Sequence, residues 1–244
     1  MQVGLIGAAI AVMLTSSAPT WVGRFSSPGP PPAPWRMVKL SSARPTVYRV
    51  AVVAGRPAIE ATVNNSMSLM VRPLTVDLGK TPMLCWRWYV DGPVKKADWT
   101  RKSGDDYAAR VYVAFDMPDS SLSGSTKLKL RLARSLFGKN IPDAGVVYVW
   151  DNKHAVGSAR KSSYTDRSQL VIAESGTDRA GSWVAERADL ASDFARAFPK
   201  KSGTPTQIAV AADGDNTNSK GRAAFADIHF VERGQPCVFT AGNS

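Results

Sequence analysis

Carboxylate side chains are the residues of this sequence whose type could support catalysis. Six of them lie in turns or near the ends of predicted strands: Asp105, Asp106, Glu174, Glu186, Asp213 and Asp215. Glycoside hydrolysis needs two carboxyl groups, one acting as acid and the other as base or nucleophile. Because neighbouring residues of a strand point to opposite faces, Asp105 and Asp106 are not expected to be that pair. Salt bridges to Arg110 and Arg87 are the alternative use of these groups.

The run 213–218, Asp-Gly-Asp-Asn-Thr-Asn, places hard oxygen ligands at alternate positions, as calcium loops do. It does not fit an EF-hand, because Asn218 stands where glycine is required and Ala224 where the bidentate glutamate would be. A turn stabilised by Asp and Asn side chains is the alternative. Asp213 and Asp215 are therefore candidate Ca²⁺ ligands, and no other cofactor is predicted.

Nucleophilic catalysis has no matching pattern in this sequence. His154 and His229 are the only histidines, and neither Ser175 nor Cys85 lies in a nucleophile-elbow motif. These observations argue against a Ser- or Cys-dependent catalytic triad.

Alternation along three predicted strands indicates a polar-aromatic face opposite the core. The run 83–90 divides into Leu84, Trp86, Trp88 and Val90 on one side and Cys85, Arg87 and Tyr89 on the other. The run 107–115 leaves Arg110 and Tyr112 opposite its apolar set. The run 223–231 is expected to place Ala224, Ala226, Ile228 and Phe230 opposite Phe225, Asp227 and His229.

The predicted ligand-binding set combines hydrogen-bonding groups with rings that can stack on a sugar. Its members are Arg87, Asp105, Asp106, Arg110, Tyr112, Trp150, Glu174 and Trp183. Trp150 ends a strand and Trp183 follows Gly181-Ser182, so both are expected to be partly exposed. Core packing is the alternative, because Trp is largely buried on average.

The elements that must position these residues are mostly short extended runs separated by Gly, Pro, Asn or Asp. Ten are predicted: 48–53, 58–63, 68–71, 83–90, 107–115, 146–150, 170–174, 183–187, 207–212 and 223–231. Residues 126–137 and 189–198 are predicted to be short helices, the second capped by Asp189 and carrying Leu190, Phe194 and Phe198 on one stripe. The fold class is therefore all-β, a jelly-roll-like β-sandwich with two short helices.

The charge of the chain is uneven. The formal net charge is +11 over 244 residues, and residues 21–103 contain 13 Lys and Arg against 4 Asp and Glu. Such a field attracts anionic partners with a strength that salt reduces. Solvation of exposed strands is the alternative role of these cations.

The N-terminus indicates export. Residues 1–18 are uncharged, carry an apolar run from Val3 to Leu14 and end in Ser-Ser-Ala, which predicts a signal peptide. Because no Lys or Arg precedes the run, an uncleaved anchor or a mis-assigned start codon is the alternative. The Pro-rich segment 19–34 is predicted to be a linker, and 35–244 a single β-sandwich domain. The mature chain is expected to be periplasmic or secreted, without a transmembrane domain and without a nucleic-acid partner. Cys85 and Cys237 could form a disulfide there, or Cys85 could be a buried small hydrophobe.

Five short motifs carry a family resemblance: Trp86-Arg-Trp88, the run 104–110, Val147-Tyr-Val-Trp150, Glu174-Ser-Gly176 and the run 213–217. In this order and spacing they resemble the bacterial family called domain of unknown function 3047, over roughly residues 35–232. The resemblance implies no established activity. The strand pattern is also similar, more loosely, to jelly-roll modules of the galactose-binding and carbohydrate-binding type, which use one sheet face or loop rim for sugars.

The predicted function is non-catalytic binding of a glycan or of another polyhydroxylated or anionic surface polymer. The first alternative is a carbohydrate-active hydrolase or lyase that uses paired carboxylates. The second is a structural envelope protein whose polar face binds another protein. A hydrolase needs a cleft with two suitably spaced carboxylates, a glycan binder needs an open face with exposed rings, and an interaction module needs a contiguous apolar patch.

Overall fold

Thirteen β-strands form two facing sheets in the computed structural model, which describes residues 17–40, 43–137 and 141–239. Sheet A contains β1 (Thr20–Gly23), β3 (Val47–Val53), β4 (Arg56–Asn64), β6 (Met83–Val90), β11 (Val184–Asp189) and β13 (Lys220–Val231). Sheet B contains β2 (Arg36–Lys39), β5 (Ser68–Pro73), β7 (Ala109–Asp116), β8 (Ala144–Asp151), β9 (Ala159–Lys161), β10 (Ser168–Ser175) and β12 (Thr204–Ala211). The predicted all-β sandwich is confirmed.

The strand orders place chain-distant strands side by side. Sheet A runs β11-β6-β13-β4-β3, with β1 also paired to β13, and all its pairs are antiparallel. Sheet B runs β2-β5-β12-β7-β8-β10-β9, and its one parallel pair in the described chain is β8 with β10. Strands β6 and β7, which contain most of the runs 83–90 and 107–115, therefore lie in different sheets.

The core lies between the sheets and is rich in aromatic rings. Trp86 packs edge-on against Trp88 with ring centroids 5.4 Å apart, and Trp88 lies 5.7 Å from Trp150 of the opposite sheet. All three are fully buried. The predicted partial exposure of Trp150 is therefore wrong: its strand alternation turns the ring inward, where it packs on Trp88.

Two helices accompany the sheets, as predicted. Helix α1 spans Gly124–Phe137, and helix α2 spans Leu190–Ala197. The carboxylate of Asp189 accepts a hydrogen bond of 3.0 Å from the Ser192 amide, which is the N-cap that the sequence predicts. Leu190 and Phe194 of α2 are buried against the core.

The N-terminal segment corrects the predicted linker. Strand β1, within 19–34, pairs with β13 and buries Val22. Gly23 allows the close approach, since a Cβ there would lie 2.9 Å from Cδ1 of Ile228. Residues 20–23 thus belong to the sandwich, because they pair with residues 228–230 of β13, whereas β4 pairs only with residues 220–225 of that strand. The predicted signal peptide lies almost wholly outside the described residues.

A β-bulge in β13 overturns the predicted faces of that strand. Asp227 has a positive φ of 54°, and the pairing with β6 shifts register between Ala226 and His229. The extra residue reverses the alternation, so Phe225 and Ile228 both face the core while Ala226 faces outward. The prediction that Ala226 and Ile228 share a face is therefore wrong.

The C-terminal tail is fixed to sheet A by a disulfide between Cys85 and Cys237, whose Cα atoms are 5.8 Å apart. The Val238 amide also donates a hydrogen bond of 2.9 Å to Nε2 of the buried His229. Of the two alternatives for Cys85, the structure contains the disulfide.

Candidate functional site

The outer face of sheet A brings together two partly exposed rings and several arginines. We call it the Trp183 face, and define it by Arg56, Arg87, Tyr89, Trp183 and Asp227. Its floor is made of small side chains, because outward positions of β3, β4 and β13 are alanines: Ala51, Ala58, Ala224 and Ala226. Ala58, Ala224 and Ala226 are buried, so the rings cover this floor and themselves form the surface that an extended polymer would contact.

Trp183 is held in place over this face. Its indole Nε1 donates a hydrogen bond of 2.9 Å to the carbonyl oxygen of Val53. The Arg56 guanidinium carbon lies 5.8 Å from the centroid of the Trp183 rings, and the Tyr89 ring lies 5.9 Å away. The side chain is partly exposed, as predicted from its position after Gly181-Ser182. A ring fixed in this way loses little conformational freedom when a ligand stacks on it.

The charges of the Trp183 face favour an anionic ligand. Nη1 of Arg56 and Nη1 of Arg87 both contact the Asp227 carboxylate, at 3.1 Å and 3.2 Å, so this triad has a formal charge of +1 (two cations minus one anion). Burial, and then the charge of Arg56, lower the pKa of Arg87. A further guanidinium, that of Arg222, lies 5.6 Å from the Tyr89 ring centroid, but it is paired with Asp91 at 2.9 Å and with Glu60 at 3.4 Å and adds no excess positive charge.

A second feature is the edge cleft, an opening of about 490 Å³ between the two sheets beside α2. Trp86 and Tyr148 lie at its base, and Glu186, Asp193 and Arg196 are among the charged groups that line it. Tyr148 donates a hydrogen bond of 2.6 Å to Asp193, which also forms an ion pair with Arg196. Trp86 is fully buried, so the cleft offers polar contacts rather than an exposed ring.

Two carboxylates approach each other near this cleft. Glu186 faces inward opposite Trp86, and Trp88 Nε1 donates a hydrogen bond of 3.2 Å to it. Burial, followed by the neighbouring charge of Glu174, raises the pKa of Glu186 to about 7. Glu174 pairs with Trp150 across sheet B, and Arg179 donates to it at 2.8 Å. The two predicted acids thus come from opposite sheets and influence one another.

Arg110 has a structural position rather than a surface one. It is buried with its Nε donating to Asp213 at 2.8 Å, while Nη2 donates to the other oxygen of Asp213 and to the Asp105 carbonyl. Burial raises the pKa of Asp213 to about 7, and Arg110 opposes this rise. Burial also raises the pKa of Asp105. The side chains of Arg110, Asp105 and Asp213 therefore contact each other rather than solvent. The predicted salt bridge to Arg110 is present, and Asp213 is its stronger partner.

Asp106 and Asp215 complete a cluster of acids with Asp213. Ligand atoms of these three residues lie within 4.8 Å of one another. Asp106 is occupied by the loop itself, accepting from the Thr217 amide at 2.7 Å and hydroxyl at 2.6 Å. Burial raises the pKa of Asp215. The donors around Asp106 and Asp213 stabilise a turn, which is the alternative to calcium binding that the sequence left open.

The predicted site residues therefore separate into distinct regions. Arg87 and Trp183 meet on the Trp183 face, Glu174 lies near the edge cleft, and Tyr112 lies half-buried on the outer face of sheet B. Whether the three strands adjoin was left open by the sequence; Arg110 and Arg87 do not share a face, because β6 and β7 belong to different sheets. Sequence reasoning missed Arg56, whose only signal was its place at the end of a short hairpin.

Residues 33–229 match the family described as "Protein of unknown function (DUF3047)", which covers most of the chain. The chain belongs to the DUF3047 family. No curated protein matches it. In the described part of this DUF3047 protein, no helix is both long and apolar enough to cross a membrane.

Two solved structures are similar to this DUF3047 chain at low sequence identity. The family 30 carbohydrate-binding module of cellulosomal cellulase Cel9D-Cel44B of Clostridium thermocellum has a TM-score of 0.40 and 11% identity, covering 91% of this chain and 97% of that one. The K3 cleaved adhesin domain of Lys-gingipain from Porphyromonas gingivalis W83 has a TM-score of 0.37 and 10% identity, covering 88% and 100%. At these TM-scores the similarity carries no argument about binding.

Proposed function

We propose that this DUF3047 protein is a non-catalytic β-sandwich that binds an acidic polysaccharide or a related anionic polymer on the Trp183 face. The observation that supports this most is the arrangement of Trp183 and Tyr89, two partly exposed rings 5.9 Å apart, beside Arg56 and Arg87. Rings of this kind pack on the C–H faces of sugars, and guanidinium groups bind carboxylates and sulfates through planar pairs of hydrogen bonds. The chain's net charge of +11 would also increase the rate of association with an anionic polymer.

Export to the periplasm or the cell exterior is part of the proposal. The Cys85–Cys237 disulfide supports it, because such bonds persist in oxidising compartments and are rare in the cytosol. The apolar, uncharged run in residues 1–18 supports it independently. In this location surface polysaccharides are available, and nucleic acid is not the expected polymer.

Retention on immobilised polysaccharides tests the proposed function. The purified protein is passed over polygalacturonate and alginate, which carry carboxylates, and over neutral dextran, each at low and at high salt. We expect retention on the acidic polymers at low salt, weakened by added salt and by Arg87→Ala. As a control, Arg101→Ala removes an exposed arginine that pairs with Asp98 at 3.0 Å and lies outside sheet A. Absence of retention on every acidic polymer would contradict the proposal. Equal loss of retention in both variants would indicate a nonspecific charge effect.

A second function is favoured by the raised pKa of Glu186, namely hydrolysis of a glycosidic bond at the edge cleft. A carboxyl group that keeps its proton near neutral pH can act as a general acid, and Glu174, held by Arg179, would be the base or nucleophile. Product analysis of the retained polysaccharides tests this function. Release of shortened chains that stops in Glu186→Gln but continues in Trp183→Ala would make the protein a hydrolase. Intact polymers would leave the binding role alone.

A further inference from the structure

The outer face of sheet B contains an apolar groove, which is separate from the Trp183 face and the edge cleft. We call it the sheet B groove. Its main part has a volume of about 850 Å³, and an apolar extension of about 130 Å³ continues toward β2. The lining includes Leu69, Tyr112, Ala114, Leu130, Ile141 and Pro142. Outward positions of a sheet that faced only water would be mostly polar, so this face is built to meet an apolar group.

The groove is deep because two small residues lie side by side at its floor. Ala114 of β7 is paired with Gly145 of β8. Around Gly145 there is room, since an added Cβ would be 3.6 Å from Ser168 Oγ and 3.7 Å from the Val113 oxygen. Glycine inside a central strand weakens the strand and often marks a place where another molecule approaches the backbone. Here it lowers the floor of the groove.

The shape of the groove suits a chain rather than a sugar ring. Its lining crosses the five neighbouring strands from β2 to β8, which are β2, β5, β12, β7 and β8. Four strand spacings correspond to roughly 19 Å. The extension toward β2 is lined by aliphatic residues with Tyr112 and Gln207 as its polar groups. A glycan would find too few hydrogen-bonding partners in this part, whereas an aliphatic chain needs none.

The β2 end of the groove is positively charged. Arg36 is exposed and is paired with Val71, which lines the groove. Because alternate residues of a strand share a face, Arg36 lies on the same side as Val38, another lining residue. No Asp or Glu lines the described part of this extension, whereas Asp166 stands beside Arg167 at the other end. The charge at the β2 end complements an anionic head group.

We infer that the sheet B groove binds a long-chain anionic amphiphile, with its aliphatic chain over Ala114 and Gly145 and its carboxylate or similar head group at Arg36. Burial of methylene groups supplies most of the affinity, because it removes apolar surface from water. The head group sets the direction of the chain. This site does not depend on the proposed polysaccharide binding.

Displacement of a fluorescent long-chain fatty acid by oleate tests the inference on the purified protein. We expect saturable binding that Gly145→Leu reduces at least about tenfold, because the added side chain fills the groove. Gly221→Leu is the matched control: it also places Leu for Gly in a strand, and nothing lies within 4 Å of the added Cβ. Arg36→Glu should weaken oleate by about tenfold and leave its uncharged methyl ester nearly unchanged.

The outcomes separate clearly. Absence of saturable binding by the wild-type protein, or equal binding by Gly145→Leu and the wild type, would overturn the inference. Melting curves of each variant show whether it is folded. If Gly145→Leu fails to fold, Arg36→Glu tests the inference instead, because Arg36 is exposed. Equal affinity of Arg36→Glu and the wild type for oleate would contradict the assigned head-group position and overturn the proposal.

Discussion

Trp183 Nε1 donates a hydrogen bond of 2.9 Å to the carbonyl oxygen of Val53. Trp183 directly precedes β11, and Val53 is the last residue of β3. These are the two edge strands of sheet A, separated by four strand spacings of about 4.8 Å, farther than an indole can reach across a flat sheet. The end of the β3–β4 hairpin must therefore bend over the outer face. Its turn residues Ala54 and Gly55 both have positive φ, as a tight two-residue hairpin requires.

Replacement of Arg110 by Ala is expected to destabilise the protein severely. The substitution leaves the buried carboxylate of Asp213 without its bidentate arginine partner. Loss of one member of a buried ion pair lowers the free energy of unfolding by about 3–5 kcal/mol. Urea unfolding measures the change. Arg49→Ala, which removes a mostly exposed partner of Glu60, is expected to cost less than about 1 kcal/mol. Equal, small effects of both substitutions would mean that Arg110 is not a structural residue.

Loss of the disulfide is expected to destabilise the protein by about 2–5 kcal/mol, since it closes a long loop in the unfolded chain. The two cysteines are 152 residues apart in sequence. The measurement is the free energy of unfolding of Cys237→Ala, with and without reducing agent. The wild type should lose stability when reduced, and the variant should not respond. A wild type indifferent to reduction would show that the bond contributes nothing to stability.

Glu186→Gln is expected to change the pH dependence of stability. The raised pKa of about 7 means that the folded protein keeps the Glu186 proton more tightly than the unfolded chain, whose ordinary value is 4.5. The stability from this group is complete below pH 4.5 and is lost as the pH rises to 7, by up to about 3 kcal/mol. Relative to wild type, Glu186→Gln should therefore gain stability between pH 5 and pH 8 in urea unfolding. An identical pH profile would show that Glu186 is not protonated near neutral pH.

Calcium is expected to leave the melting temperature unchanged. The oxygens of Asp213 accept hydrogen bonds from Arg110 and from the Tyr107 amide, and Asp106 accepts from Thr217, so an ion would have to displace these donors. Melting curves with Ca²⁺ and with chelator provide the test. A rise in melting temperature with Ca²⁺ that disappears in Asp215→Asn would instead assign the cluster as a calcium site.

The sequence could predict the elements of this fold because each is a local pattern. Alternation of apolar residues located ten of the thirteen strands in the described chain, all except the short strands β1, β2 and β9, and the recurrence of Leu190 and Phe194 located α2. The bulge at Asp227 escaped prediction because one residue with positive φ reverses all later side chains without changing composition. Local patterns also gave no reason to assign β1 to the sandwich, since its partner lies at the other end of the chain.

The candidate sites were less predictable, since they depend on which strands become neighbours. Arg87 and Asp227 meet although 140 residues separate them, and Arg110 meets Asp213 across 103. Position at a strand end suggested exposure for both Trp150 and Trp183. Only the three-dimensional arrangement distinguishes them, because Trp150 turns into the core while Trp183 lies over an outer face.

Affinity of the Trp183→Ala variant for the acidic polysaccharide that retains the wild type tests the central claim most directly. If Trp183 is the stacking ring, the dissociation constant should rise about 30-fold, or about 2 kcal/mol, as for an aromatic hot spot. Trp99→Ala is the matched control, since Trp99 is also partly exposed, with the Arg160 guanidinium carbon 5.5 Å from its ring centroid. A large loss for Trp183→Ala alone is the predicted result. Unchanged affinity in Trp183→Ala, or equal losses in both variants, would contradict binding on the Trp183 face.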